Sequence, residues 1–305
     1  MSLEPIKKVL VAMDGSERSY EIIHYITRTR LFAHQKTRIC LFSVYETVPD
    51  HLADLGRDPR FHQAYAGVKQ WELQKKREIE GFLEKARNRL ISCGIPARDI
   101  SVKAQIKEVG IARDIIQEAS DGYDALMIGR KGEGMLKYIM MGSVAMKLLS
   151  AIHDIPLAII GRNIPETPKL IVALDQSEYG MKAVHFVAAN FPGQTFHVHL
   201  IHAIRDDIYT PPEITERYVR SILPFFDNAK ACLMEHGFED QRITTNIVTK
   251  QRSRARTIMD EADNAQVGTI VTGRRGLSKV MEFFMGRVSN KIVQMGTDNA
   301  VWVIS

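Results

Sequence analysis

An internal repeat constrains this chain more than any other feature. Lys8-Val9-Leu10-Val11-Ala12-Met13-Asp14-Gly15-Ser16-Glu17 returns as Lys169-Leu170-Ile171-Val172-Ala173-Leu174-Asp175-Gln176-Ser177-Glu178, and Ala125-Leu126-Met127-Ile128-Gly129-Arg130-Lys131-Gly132 returns as Thr269-Ile270-Val271-Thr272-Gly273-Arg274-Arg275-Gly276. One structural plan is therefore used twice, and whatever half of the chain folds into, the other half resembles. The copies are offset by 161 positions at Asp14 and Asp175 and by 144 at Gly129 and Gly273, so the first carries 17 more residues between these landmarks. The surplus is expected between Glu46 and Tyr65, where Pro49, Gly56 and Pro59 favour an extended loop. Gly161-Arg162-Asn163-Ile164-Pro165-Glu166-Thr167-Pro168 can continue neither a strand nor a helix, which predicts a linker and two domains, 1–164 and 165–305.

Each copy alternates short apolar runs rich in β-branched residues with stretches of helical period, the pattern of a parallel sheet covered on both faces. Strands are predicted near 7–13, 38–44, 100–106, 124–129 and 156–160, then near 169–174, 196–203, 243–249, 268–273 and 300–304. Helices in the first copy are predicted near 17–33, 66–92, 111–120 and 142–151, with Ser16 as a cap and Gly94 as a stop. Right-handed crossovers make each copy a doubly wound five-stranded sheet, Rossmann-like in plan, with a crevice at the carboxyl ends of the strands where the winding reverses.

Composition narrows the function classes. Among 305 residues, 45% are hydrophobic and 25% charged, as in ordinary globular proteins. Met1 to Lys8 is too polar for a signal-peptide core, and apolar runs such as Ile155 to Ile160 are too short to span a bilayer, so a cytoplasmic protein with no membrane partner is expected. Cys40, Cys93 and Cys232 show no paired spacing and fit reduced, buried fillers. A net charge of +5 permits an anionic ligand, but the basic residues are dispersed and do not indicate nucleic acid. The densest basic stretch, Lys250 to Arg256, suits a solvated helix start or a phosphate site.

The chemistry is concentrated after the fourth strand of the first copy. Gly129-Arg130-Lys131-Gly132 is followed, nine residues on, by Gly142-Ser143 and the helical run from Val144. The glycines let backbone approach a ligand, and a helix opening at Gly142-Ser143 presents unpaired amides backed by a partial positive charge. Such a start binds phosphate; the Ser143 hydroxyl offers another donor, and Arg130 and Lys131 add charge to the loop. Asp14, ending the first strand, falls at the same sheet edge. Its carboxylate could accept from an adenine amino group or a ribose hydroxyl, although an Asp-Gly-Ser turn with a helix cap accounts for it equally.

The pattern Gly-x2-Gly-x9-Gly-Ser at Gly129, Gly132, Gly142 and Ser143, with Val-Ala-Met-Asp-Gly-Ser at 11–16, resembles the universal stress protein family, and the resemblance covers essentially the whole chain as two family domains. It implies an adenine-nucleotide site in the first copy. There Ala12, Met13 and Asp14 would border the base, Val44 would cover it, and Gly129, Lys131, Gly132, Gly142, Ser143 and Val144 would line the ribose and phosphate path. The ligand would be ATP, or ADP or AMP, with or without Mg2+. The resemblance also implies that the two copies pack as an internal pseudo-dimer through their last strands, Leu157 to Ile160 and Ala300 to Ile304, which would hide both edges; association of two chains into a homodimer stays open.

The second copy keeps Ala173, Asp175, Gly273, Arg275, Gly276 and Gly286, but Arg287 stands where a Ser or Thr is expected. Its guanidinium could clamp a phosphate or fill the phosphate space, so altered or weaker binding is expected there. Ser289 is no obvious replacement for the hydroxyl. His197 and His199 share a strand face opposite His202, with no third metal ligand evident. His51 and His62 fall in the long loop. Trp71, Leu73, Ile79, Phe82, Leu83 and Leu90 form a core-facing helix stripe, with Lys75 to Glu78 on the solvated side. No general base or metal-binding carboxylate cluster accompanies the glycine loop, so the leading expectation is a nucleotide-binding regulator of a protein partner under stress. A slow ATPase using Asp14 and the loop bases, and a nucleotide-free scaffold, are the rivals.

Overall fold

The computed structural model describes residues 4–32, 36–46, 62–131, 141–205, 211–251, 253–276 and 285–305. In the first half β1 (Lys8–Ala12), β2 (Arg38–Tyr45), β3 (Ile100–Ile106), β4 (Ala125–Gly129) and β5 (Leu157–Ile160) alternate with α1 (Glu17–Thr29), α2 (His62–Ser92), α3 (Ile111–Ala119) and α4 (Ser143–Ala151). The second half repeats this with β6 (Lys169–Ala173), α5 (Glu178–Asn190), β7 (His197–Arg205), α6 (Pro212–Glu235), β8 (Ile243–Gln251), α7 (Arg254–Asn264), β9 (Thr269–Gly273), α8 (Arg287–Met295) and β10 (Ala300–Ile304). Every predicted strand is present within a residue or two. Ser16 caps α1 by accepting from the Ser19 amide, and Gly94, at φ +97, follows the end of α2. Two helix bounds differ from expectation. α1 stops at Thr29 because Arg30 turns left-handed at φ 50, and α2 already begins at His62, so residues 62–65 are helix rather than loop. Residues 47–61, with His51, Pro49, Gly56 and Pro59, lie outside the described residues, as does the His62 side chain.

The strands form one ten-stranded sheet in the order β3-β2-β1-β4-β5-β10-β9-β6-β7-β8, parallel within each half. In the first half the winding reverses between β1 and β4, and in the second between β6 and β9, so each half has a crevice at that point. One apolar layer runs along one face of both halves, with Ile22 and Ile26 of α1, Leu83 of α2, Phe186 of α5 and Phe226 of α6; the other face carries Ile115 of α3, Leu148 of α4, Ile258 of α7 and Ile292 of α8.

The two halves are stitched where β5 meets β10 antiparallel, as the two expected edge strands require. Ala158 and Trp302 occupy equivalent positions in the two copies and face each other across this ladder, so the axis relating the copies passes between them. A small residue opposite a large one fits there; two indoles would not. Trp302 is fully buried, its Nε1 donates to the Tyr25 hydroxyl at 3.1 Å, and that hydroxyl lies 3.1 Å from Thr269 Oγ1. Burial of this phenol pushes its pKa up to about 12. Phe186, the repeat counterpart of Tyr25, packs on the other side with ring centroids 4.9 Å apart.

The seam also holds two exchanged arginines. Arg130 reaches into the second half and donates to the carbonyls of Val293 (2.5 Å), Gly296 (3.1 Å) and Gln294 at the end of α8. Its counterpart Arg274 donates to Leu149 (2.9 Å) and Ile152 at the end of α4, and through Nε to Ser305 Oγ (3.2 Å). Each guanidinium thus satisfies orphan carbonyls of the other half's last helix and sits at the negative end of its dipole. Burial pulls both pKa values down to about 10, which leaves them charged at neutral pH. The expectation that Arg130 lends its charge to the glycine loop is therefore corrected: its side chain is committed to the seam.

Candidate functional site

The first crevice has a volume of about 490 Å3 and opens between the ends of β1, β2 and β4 and the start of α4. Sequence reasoning singled out ten positions. Nine of them, Ala12, Met13, Asp14, Val44, Gly129, Lys131, Gly142, Ser143 and Val144, line this one crevice. The tenth, Gly132, lies outside the described residues. Local chemistry explains how several of these positions are held. Asp14 Oδ1 accepts from the Ser16 amide at 3.1 Å and the Ser16 hydroxyl at 2.6 Å, which fixes the carboxylate at the end of β1. Met13 donates its amide to Phe42 O at 2.8 Å, tying the end of β1 to β2 near Val44.

At the other end, Gly142 donates its amide to the Arg130 carbonyl at 2.9 Å and stands as N-cap of α4 without any side-chain cap, so the first amides of α4 have no capping side chain. Ser143 is exposed at that helix start. A methyl group added at Gly129 would meet only ordinary contacts, 3.5 Å to Ser19 Cα and 3.7 Å to Arg18 O, so the protein's own packing does not demand a glycine there. Lys131 also borders a small cleft with Arg18 and Arg162. Burial and then these neighbouring guanidiniums pull its pKa down, the mark of concentrated positive charge.

Two lining residues, Trp71 and Lys75, were assigned elsewhere by sequence. Trp71 and Leu73 were expected in the core stripe of α2, yet they are 48% and 56% exposed. The buried stripe begins only at Ile79 and continues through Leu83, Ala86 and Leu90, with Phe82 packed edge-on against Tyr20. The first turns of α2 overhang the sheet, so the same helix face that is core at Ile79 covers the crevice at Trp71 and Lys75. Lys75, expected on the solvated side, is thus a lining residue as well. The signal available in sequence was the repeat: registering Ile79, Leu83, Ala86 and Leu90 on Ile222, Phe226, Ala229 and Leu233 puts Trp71 opposite Ile214 and Lys75 opposite Tyr218, and so marks a difference between the copies.

The second crevice, about 400 Å3, gathers all seven positions expected of it: Ala173, Asp175, Gly273, Arg275, Gly276, Gly286 and Arg287. Its glycines answer to internal packing. A methyl on Gly273 would come within 2.7 Å of the Tyr179 backbone, and one on Gly276 within 2.4 Å of Asp175 Oδ2. Ser289, buried, donates to the Gly273 carbonyl at 2.6 Å and is spent on the fold. His202, Tyr218 and Arg254 line the crevice without having been singled out for it. The basic stretch starts α7 behind the capping Ser253; Arg256 pairs with Asp260 at 2.8 Å, while Arg254 faces the crevice. Elsewhere on β7, His197 Nε2 is 3.0 Å from Arg242 and His199 Nδ1 is 2.7 Å from Thr244 Oγ1, and among the described residues no group of three or more His, Cys, Asp or Glu could hold a metal. Among the described residues no helix is long and apolar enough to cross a membrane.

Two doubly wound halves joined edge to edge, each with a crevice at its switch point, define a tandem α/β protein. The model of the universal stress protein family matches residues 5–159 and again 166–298, and the chain belongs to that family. It is 27% identical over 143 residues to Universal stress protein YxiE of Bacillus subtilis (strain 168), a stretch that is 42% of this chain and 93% of the relative. Among solved structures, a universal stress protein from Archaeoglobus fulgidus DSM 4304 covers 98% of both chains with a TM-score of 0.60 and 17% identity. A structure described as a putative universal stress protein from Pseudomonas aeruginosa UCBPP-PA14 covers 98% of this chain and 93% of its own, with a TM-score of 0.58 and 15% identity. At these identities the two structures speak to the fold alone.

Proposed function

We propose that the first crevice binds an adenine nucleotide, ATP or ADP or AMP, and that the protein is a cytoplasmic regulator whose partner-facing surface changes with nucleotide occupancy during stress. One observation carries the reading: a fixed carboxylate beside an apolar slot of Ala12, Met13 and Val44 and an uncapped helix start at Gly142-Ser143 converge on one crevice of about 490 Å3, within the range of small-molecule sites. Asp14 and Val44 suit a base, while the α4 amides, Ser143 and Lys131 suit phosphates. Trp71, exposed above the same crevice, offers an aromatic face to the base. The division of the chain into units 1–164 and 165–305 belongs to the same reading, and the stress role rests on family membership.

A ligand that binds only the folded form stabilises it in proportion to its occupancy, so ATP at about a hundred times its Kd is expected to add about 2.7 kcal/mol. Thermal unfolding with and without ATP tests this. A concentration-dependent rise that Gly142→Val diminishes supports the reading. No rise in the native sequence overturns it.

A further inference from the structure

The second crevice differs from the first in its charges. Three exposed arginines from three separate elements line it: Arg254 at the start of α7, Arg275 in the loop after β9 and Arg287 at the start of α8. The repeat aligns them with Ile111, Lys131 and Ser143, so the second copy gains two guanidiniums and exchanges an ammonium for a third. Among the described residues the side chains of these three arginines make no ion pair and no hydrogen bond, in contrast to Arg256 one turn away and to Arg274 beside them. The lining contains one carboxylate, Asp175, and its Oδ1 already accepts from the Ser177 amide and hydroxyl. A second group points to a ligand independently. His202 is 5% exposed and lines the same crevice; its Nδ1 lies 2.7 Å from the Leu174 carbonyl, which only accepts, so Nδ1 carries the proton and Nε2 has no partner among the described residues.

Like charges converging on one concavity repel unless an anion joins them, and a guanidinium fork matches phosphoryl oxygens two at a time. Three forks that each take two phosphoryl oxygens are matched better by linked phosphoryl groups than by one phosphate with its four oxygens. We propose that the second crevice is a binding site for a polyphosphate-bearing ligand, with two or more linked phosphoryl groups held by Arg254, Arg275 and Arg287 and the rest of the ligand met by His202 and Tyr218. The two copies of one fold then serve two ligand classes, the first selecting on the base and the second on phosphate charge. This holds whether or not the first crevice takes ATP.

Calorimetric titration of the full chain with inorganic tripolyphosphate, pyrophosphate and orthophosphate tests the proposal. A Gly142→Val background keeps the first crevice from contributing. The expected result is one tripolyphosphate per chain, bound more tightly than pyrophosphate and far more tightly than orthophosphate, with affinity falling as salt rises. Arg254→Ile with Arg287→Ser installs the first copy's residues and is expected to weaken tripolyphosphate about 100-fold, about tenfold for each charged fork removed. A cooperative thermal unfolding transition close to that of the native chain serves as the check that the double variant is folded. Tripolyphosphate binding that survives the double substitution, that is lost with Gly142→Val alone, or that orthophosphate equals would overturn the proposal. Loss of ATP binding in the native chain would overturn only the reading of the first crevice.

Discussion

The two crevices share a backbone and differ in what their residues are free to do. In the first, a methyl on Gly129 would meet only ordinary contacts, and an indole overhangs the cavity. In the second, Gly273 is pressed against Tyr179 and Gly276 against Asp175, an arginine replaces the serine, and Ile214 replaces the indole. Gly129 and Gly273 therefore hold the same place in the motif under different constraints, ordinary contact in one copy and close internal packing in the other. A motif preserved through a repeat does not imply a function preserved with it.

The largest expected effect breaks the symmetry that the copies do share. Replacing Arg130 or Arg274 by Met strips a charge from the carbonyls that end the other half's last helix, and each is expected to cost about 3 kcal/mol in denaturant unfolding. Equal losses would mean that the seam is balanced; a loss in only one would locate the weaker half. Next in size, Gly273→Ala is expected to destabilise by about 2 kcal/mol through the clash with Tyr179, whereas Gly129→Ala should stay within about 0.5 kcal/mol and instead weaken nucleotide binding. Equal stability losses would erase the distinction drawn between the glycines.

Smaller still is the contribution of Trp71. The chain has two tryptophans and Trp302 is fully buried, so fluorescence that responds to added ATP reports on Trp71. Quenching is expected, and Trp71→Ala is expected to weaken ATP about fivefold, the equivalent of about 1 kcal/mol of stacking. An unchanged affinity would remove the indole from the site. The smallest effect concerns pH. Burial holds His202 below the usual imidazole value, with Arg254 lowering it further and the Leu174 carbonyl and Asp175 opposing. The unfolded chain then takes up a proton that the folded chain resists, so stability falls as pH drops below about 6.5 and levels off below the folded pKa. His202→Ser, which installs the first copy's Ser43, should flatten that slope by less than about 1 kcal/mol.

Much of this was legible in sequence because the repeat supplied two readings of every element. Strands, the capping Ser16, the stop at Gly94 and the convergence of Asp14 with Gly142 all follow from local pattern and the topology of wound sheets, while the joining of the last strands came from the family resemblance. What was hidden depended on partners distant in sequence. Arg130 looks like a loop charge until the carbonyls of Val293 and Gln294 arrive from the other half. Trp71 fits a helix stripe, and periodicity cannot report that the sheet beneath the helix has ended. Arg254 stood in a basic run in which nothing local separates it from Arg256, although one faces the crevice and the other Asp260.

The most direct test of the account is to denature freshly purified protein, identify any released nucleotide by chromatography and mass spectrometry, and count it per chain beside Gly142→Val and Gly286→Val. The account predicts close to one adenine nucleotide per chain, lost with Gly142→Val and kept with Gly286→Val. A chain that carries none and takes up none when ATP is added back, or one that loses it only with Gly286→Val, would contradict it.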